Sequence, residues 1–290
     1  MNKSTPETNA GEPETTGHEW DGISEYNNPL PKWWLYTFYA TIIWSIGYWI
    51  VMPSWPLISD YTKGVIGYSQ RATVAKNIAD AKAAQSVYLS RIAELQPAEI
   101  IQDPELFTFA LAGGKAAFGD NCAPCHGNGA QGFVGYPNLN DDDWLWGGSL
   151  EAIETTIRYG IRSNHDETRS NDMPAFLTDE ILSRAEVRQV TDYVVALSDP
   201  DRAAAEAAPR GAAIFAEQCA ACHGEDGRGI TELGAPNLAD PIWLFGGDPA
   251  AIYDTIAMSR NAMMPAWEGR LSPATIKQLT VYVHSLGGGE

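Results

Sequence analysis

The pentapeptide Cys122-Ala123-Pro124-Cys125-His126 recurs as Cys219-Ala220-Ala221-Cys222-His223, and the two copies use all four cysteines of the 290-residue chain. In a C-x-x-C-H turn the two thiols add across the vinyl groups of a haem, and the adjacent imidazole becomes an iron ligand from the same turn. C-x-x-C pairs also serve thiol–disulfide exchange and zinc binding. A zinc site built from both pairs is the competing reading, and it leaves the matching His126 and His223 without a role.

Each motif sits inside a longer repeat. Gly114-Lys115-Ala116-Ala117-Phe118 precedes the first motif and Gly211-Ala212-Ala213-Ile214-Phe215 the second. Pro137-Asn138-Leu139 answers to Pro236-Asn237-Leu238, and Trp144-Leu145-Trp146-Gly147-Gly148 to Trp243-Leu244-Phe245-Gly246-Gly247. Met173-Pro174-Ala175-Phe176 answers to Met264-Pro265-Ala266-Trp267. A helix from Thr178 to about Leu197, carrying Tyr193, is expected to close the first half. One from Ser272 to about Leu286, carrying Tyr282, is expected to close the second, with Ser272 as N-cap and Pro273 at the first helical position. Arg162 to Asp172 has no full counterpart in the second half and reads as a polar surface loop, with His165 a solvated loop histidine rather than a further ligand.

The formal net charge of -18 excludes the basic surface that nucleic-acid binding needs. It suits a soluble surface that attracts a basic partner. Residues 1 to about 31 are polar and acidic with few apolar side chains, which predicts a largely disordered arm. From Trp33 to Ser59 there is no charged residue. Trp33 to Met52 makes a helix of roughly 30 Å at 1.5 Å per residue, enough to cross the hydrocarbon layer of a lipid bilayer. Trp33, Trp34 and Tyr36 stand at one end and Tyr48, Trp49 and Trp55 at the other, as interfacial belts require. Pro53 and Pro56 end or kink the helix. A cleaved signal peptide is the rival, but the stretch is too long, follows an acidic arm, and has no small-residue cleavage site after it.

Two arguments on orientation collide. Lys63, Arg71, Lys76 and Lys82 follow the span, which by the positive-inside rule places the C-terminal bulk in the cytoplasm. Covalent haem attachment takes place on the outer side of the bacterial inner membrane. The chemical argument outranks the statistical one, so the haem domains are expected to be periplasmic and the N-terminus cytoplasmic. Asp60 to about Phe109 reads as a connector with a helix from Arg71 to Leu95, ended by Pro97. It is either a plain spacer or a helix resting on a partner or on the membrane surface.

The order of each half resembles a class I cytochrome c domain. That resemblance implies an N-terminal helix packed through Gly and aromatic residues on a C-terminal helix, and a distal methionine before proline. It implies thioether attachment at Cys122, Cys125, Cys219 and Cys222, proximal ligation by His126 and His223, and distal ligation by Met173 and Met264, on two covalently bound haem c groups. Met258 and Met263 compete in the second half, but neither precedes a proline. The simple arrangement keeps Met173 on the first haem and Met264 on the second; tandem domains sharing a face can also exchange them.

The whole chain is then all-α in expectation: acidic arm 1–31, transmembrane anchor 32–58, helical connector 59–107, and two tandem cytochrome c domains at 108–199 and 207–287. This architecture resembles the dihaem subunit III of bacterial cbb3-type cytochrome c oxidases. The resemblance implies electron entry from a donor cytochrome c, basic by the charge argument, and delivery to the monohaem and haem–copper subunits. Those partners reduce oxygen and pump protons; this chain is a non-catalytic electron-transfer subunit in that reading. The alternatives are a self-standing membrane-anchored dihaem carrier and the cytochrome subunit of a periplasmic dehydrogenase.

Overall fold

The computed structural model describes residues 14–199 and 208–287; the first 13 residues of the acidic arm and the link between the two repeats lie outside that range. The described chain is mostly helical. It divides into two compact bodies, one up to Lys82 and one from Ala83.

In the first body the structure departs from the expected disorder over Thr15–Tyr26 of the arm. Strands β1 (Thr15–Trp20) and β2 (Ile23–Tyr26) pair as an antiparallel hairpin with every side chain exposed. The turn is Asp21-Gly22, both at positive φ (49° and 84°), the geometry that joins two twisted strands through two residues. Flanking Thr, Trp, Ile and Tyr suit the pleated backbone. Helix α1 (Lys32–Val51) buries no side chain. The chain then folds back on its end: Val65 N donates to Ile50 O at 3.0 Å, and Trp49 meets Trp55 edge-on at 4.9 Å.

The second body begins within α2 (Gln70–Glu94), followed by α3 (Pro97–Gln102) and α4 (Pro104–Asn121). Pro97 and Pro104 each open a helix at a position where the missing N–H costs nothing. Gln96 and Glu99 form a reciprocal capping box, and the Asp103 carboxylate accepts from Glu105 N and Leu106 N. The end of the connector is therefore not a spacer. Ile92, Ile100, Leu106 and Ala110 are fully buried against Ala274 and Val281. The buried Lys277 ammonium donates to Ala93 O (2.9 Å) and Leu95 O (2.6 Å), satisfying carbonyls at the end of α2.

The two cores that carry the C-x-x-C-H motifs follow. The first motif is α5 (Ala123–His126), then α6 (Leu150–Tyr159); α7 (Arg184–Ser198) comes next, capped by Ser183. The second motif is α9 (Ala220–His223) between α8 (Ala208–Gln218) and α10 (Pro249–Met258), and α11 (Pro273–His284) ends the described chain. Helix α11 starts at the expected Ser272 cap, which accepts from Thr275 N at 3.1 Å. Helix α7 starts six residues later than expected. Residues 176–178 are instead hydrogen-bonded to Ile256 O and Ala257 O at the end of α10, so that segment is committed to another helix.

Helix pairing is crossed between the repeats. α4 of the first half packs on α11 of the second, and α8 of the second half packs on α7 of the first. The reason is steric and specific. A Cβ on Gly114 would lie 2.2 Å from Gln278 O, and one on Gly211 would lie 2.2 Å from Gln189 O, so each glycine lets two helix backbones touch. One turn on, Phe118 stacks obliquely on Tyr282 at 5.4 Å and Phe215 on Tyr193 at 5.2 Å. Both phenylalanines are buried, and such burial is worth about 2–3 kcal/mol each.

Candidate functional site

One core gathers Phe118, Ala123, Ile153, Ile157, Ile276 and Leu279, with Cys122, Trp144, Met264 and Trp267 packed against it. The other gathers Val190, Val194, Phe215, Ile252 and Ile256, with Cys219, Trp243 and Met173 packed against it. Each C-x-x-C-H motif therefore shares its core with the methionine of the opposite repeat. The methionines are thus packed as the exchanged arrangement requires, and not as the same-half one does.

Backbone pairing shows how the exchange is held. Ile161 and Met264 form a two-way bridge, Ile161 N to Met264 O at 3.0 Å and Met264 N to Ile161 O at 2.9 Å. Gly160, at φ 73°, caps α6 beneath this strap, and a Cβ there would lie 2.4 Å from Met264 O. The Met173 strap mirrors it on α10: Phe176 N donates to Ile256 O at 3.1 Å, and the Ser259 hydroxyl donates to Met173 O. Met258 and Met263 are 55% and 67% exposed and join neither core, which favours Met264 among the three.

The histidines are prepared alike. His126 Nδ1 donates to Pro137 O at 3.1 Å, and His223 Nδ1 to Pro236 O at 3.0 Å. A carbonyl only accepts, so each ring carries its proton on Nδ1 and leaves Nε2 as the ligating nitrogen. Burial pushes both imidazoles below the usual histidine range, partly opposed by those carbonyls. Both rings are thus kept neutral, the state a metal requires. All four thiols are free of disulfides. Burial first, then the neighbouring cysteine, pushes the Cys122 and Cys219 thiols up to about 11. The two pairs lie in different cores, and among the described residues no group of three or more His, Cys, Asp or Glu is placed to hold a bare metal ion.

A porphyrin fits what is present. Met173, Cys219, Cys222, His223, Trp243 and Arg260 share one apolar cleft of about 400 Å³, within the roughly 300–1,000 Å³ usual for ligand sites. The porphyrin's two carboxylates need cations, and each half supplies a guanidinium that the sequence reading missed. Arg169 donates to Ala152 O and lies over Trp146 at 5.3 Å; Arg260 donates to Ala251 O and lies over Phe245 at 5.0 Å. Arg169 Nε is buried without a partner, as a side chain awaiting an anion would be. The signal was in the repeat: each arginine stands four residues before a Met-Pro.

The remaining candidates divide. Trp144 and Trp243 each pack against the core of their own repeat's C-x-x-C-H motif. His165 belongs to a surface contact, 3.3 Å from Glu268 and with its ring tilted against Tyr159 at 4.7 Å. Directly before Trp144 stand three carboxylates, Asp141, Asp142 and Asp143; Asp142 is exposed but Asp143 is half-buried, and burial, then Asp240 and Asp141, pushes its carboxyl up to about 6. Asp143 is therefore part of the cleft wall rather than a free surface charge.

The chain is similar to known proteins over nearly its whole length. The profile of the N-terminal domain of cytochrome oxidase-cbb3, FixP, matches residues 12–59, and that of cytochrome c oxidase, cbb3-type, subunit III, matches residues 109–194 and 206–283. The cbb3-type cytochrome c oxidase subunit FixP of Azorhizobium caulinodans is 55% identical over 98% of this chain and 97% of its own length. The FixP subunit of Bradyrhizobium sp. (strain ORS 278) is 55% identical over 95% of both chains. The CcoP subunit of Cereibacter sphaeroides is 51% identical over 97% of both.

Proposed function

Because this chain belongs to the subunit III family of cbb3-type cytochrome c oxidases, we propose that it takes electrons from a basic donor cytochrome c and hands them to the haem subunits of the oxidase. It is the dihaem cytochrome subunit of that complex and carries two covalently bound haem c groups. Haem supplies a one-electron iron couple when bound. The residues do the rest. Cys122, Cys125, Cys219 and Cys222 form the thioether links, and His126 and His223 ligate iron from the motif side. Met264 closes the first centre and Met173 the second. Held by an imidazole and a thioether, the iron would favour the ferrous state and would supply electron transfer rather than bond-making. The observation that carries this reading is that each of the two apolar cores joins a C-x-x-C-H motif and the methionine of a Met-Pro strap.

The segments 108–199 and 207–287 serve as the two cytochrome c repeats in this reading, 59–107 as connector and 32–58 as a single-pass anchor. By mean hydropathy, no helix among the described residues is long and apolar enough to cross a membrane. Two features support α1 as the anchor nonetheless. Its four tryptophans and three tyrosines, which hydropathy scales count as polar, belong at membrane interfaces. Its 20 residues carry one charge, Lys32, and bury nothing, leaving Ile42, Ile43, Trp44 and Ile46 exposed; an apolar surface of that extent needs lipid or a membrane partner to cover it. The haem domains then lie on the periplasmic side of the inner membrane.

Detergent extraction tests the assignment: the chain should co-purify with haem–copper oxidase activity. A chain that leaves the membrane alone would instead be a self-standing carrier. Docking should follow charge. Reduction by a basic cytochrome c should slow by about tenfold from low to physiological salt, where screening acts over about 8 Å. Stopped-flow rates that stay flat across the salt series would remove electrostatic steering.

A further inference from the structure

The two methionine straps meet at one side chain. The Arg162 guanidinium donates through Nε to Ala262 O at 2.8 Å and through Nη1 to Asn171 O at 3.0 Å. Asn171 and Ala262 occupy the same place in the two straps, each two residues before its methionine. Arg162 itself is not duplicated: it belongs to the segment of the first half that lacks a counterpart in the second. It sits at φ 51°, a left-handed backbone that a side-chain-bearing residue adopts only when its surroundings hold it. Its backbone is held there, with Arg162 N donating to Arg169 O at 2.8 Å and the adjacent Ile161 bridged to Met264. Its side chain is three-quarters buried and lies 3.7 Å from the Asp172 carboxylate, the residue directly before Met173.

We propose that Arg162 is a positioning residue shared by both iron centres, tying the two straps together so that the ligand field at one haem depends on the strap of the other. The planar fork of arginine presents Nε and Nη1 to the two carbonyls in fixed directions, whereas an ammonium is a point charge with rotatable donors and fixes their relative placement less tightly. Loss of the fork leaves both straps without a common support. Coupling of two sites through a shared element is reciprocal. The proposal rests on the exchanged methionine ligation given above.

Redox titration of the full-length haem-loaded protein tests it, followed through the sulfur–iron charge-transfer absorption of each haem. M173L and M264L serve as controls that assign one band to each strap; if neither abolishes a band, the ligation reading has failed and not the role of Arg162. R162Q is expected to weaken both bands and shift both potentials downward together. R162K keeps the charge without the fork and is expected to leave at least one band weakened. A change at one haem only in R162Q, no change at either, or full restoration in R162K would overturn the proposal. Should R162Q fail to accumulate, R162K alone carries the comparison, since both bands at full strength would decide against it.

Discussion

A Gly114→Val chain is expected to lose its first haem unit, and to lose it by releasing the far end of the molecule. A side chain at 114 must push against Gln278 O, 2.2 Å from the Cβ position, and against Tyr282 Cβ at 2.6 Å. Neither is the tip of a flexible chain, so α4 and α11 must separate. Overpacking of this kind costs about 3 kcal/mol or more, a large fraction of a typical domain's stability. Separation also uncovers Phe118 and frays the contacts of Ile100 and Leu106 with α11. Limited proteolysis should then cut near residues 270–287 before it cuts within 184–198. Preferential cutting in α7 would mean that α4 packs on its own half after all.

Met264→Leu is expected to lower the potential of the haem attached at Cys122 and Cys125, more than 130 residues away in sequence. The leucine fills the same core volume, so the fold should survive with little loss. What goes is a soft sulfur that favours ferrous iron; axial-ligand identity spans roughly 0.8 V among haem proteins, and a fall on the order of 0.1 V is a modest share of it. Met173→Leu should do the same to the haem at Cys219 and Cys222. Spectropotentiometry of each variant reads this as one descending wave and one unchanged.

The motifs, the repeat and three of the four helix starts placed from the sequence were legible because each depends on a few local residues. Ser272-Pro273 announces α11, and two thiols beside an imidazole announce the attachment turn. The exchange was not legible, for a physical reason. The glycine, phenylalanine and tyrosine that mate the terminal helices are the same in both halves, so Gly114 suits Gln189 and Tyr193 as well as it suits Gln278 and Tyr282. The choice is made by the short runs between Arg169 and Met173 and between Arg260 and Met264. There the chain leaves the core that holds the arginine and enters the core that holds the methionine. The late start of α7 has the same origin. The hairpin was legible in principle, since Asp21-Gly22 between β-forming residues is a strong turn signal; acidic composition outweighed it in the reading. Helix α1 was placed by its lack of charge, and its bounds agree within a residue with the apolar segment.

The crossed ligation is tested most directly in a chain that keeps a single haem. Cys219→Ala with Cys222→Ala removes the second attachment turn, and acid-acetone extraction of the denatured protein should leave one haem per chain where the parent retains two. In that one-haem chain, Met264→Leu should abolish the remaining sulfur–iron charge-transfer band and Met173→Leu should leave it intact. The opposite pattern, a band lost with Met173 and kept without Met264, would contradict the account.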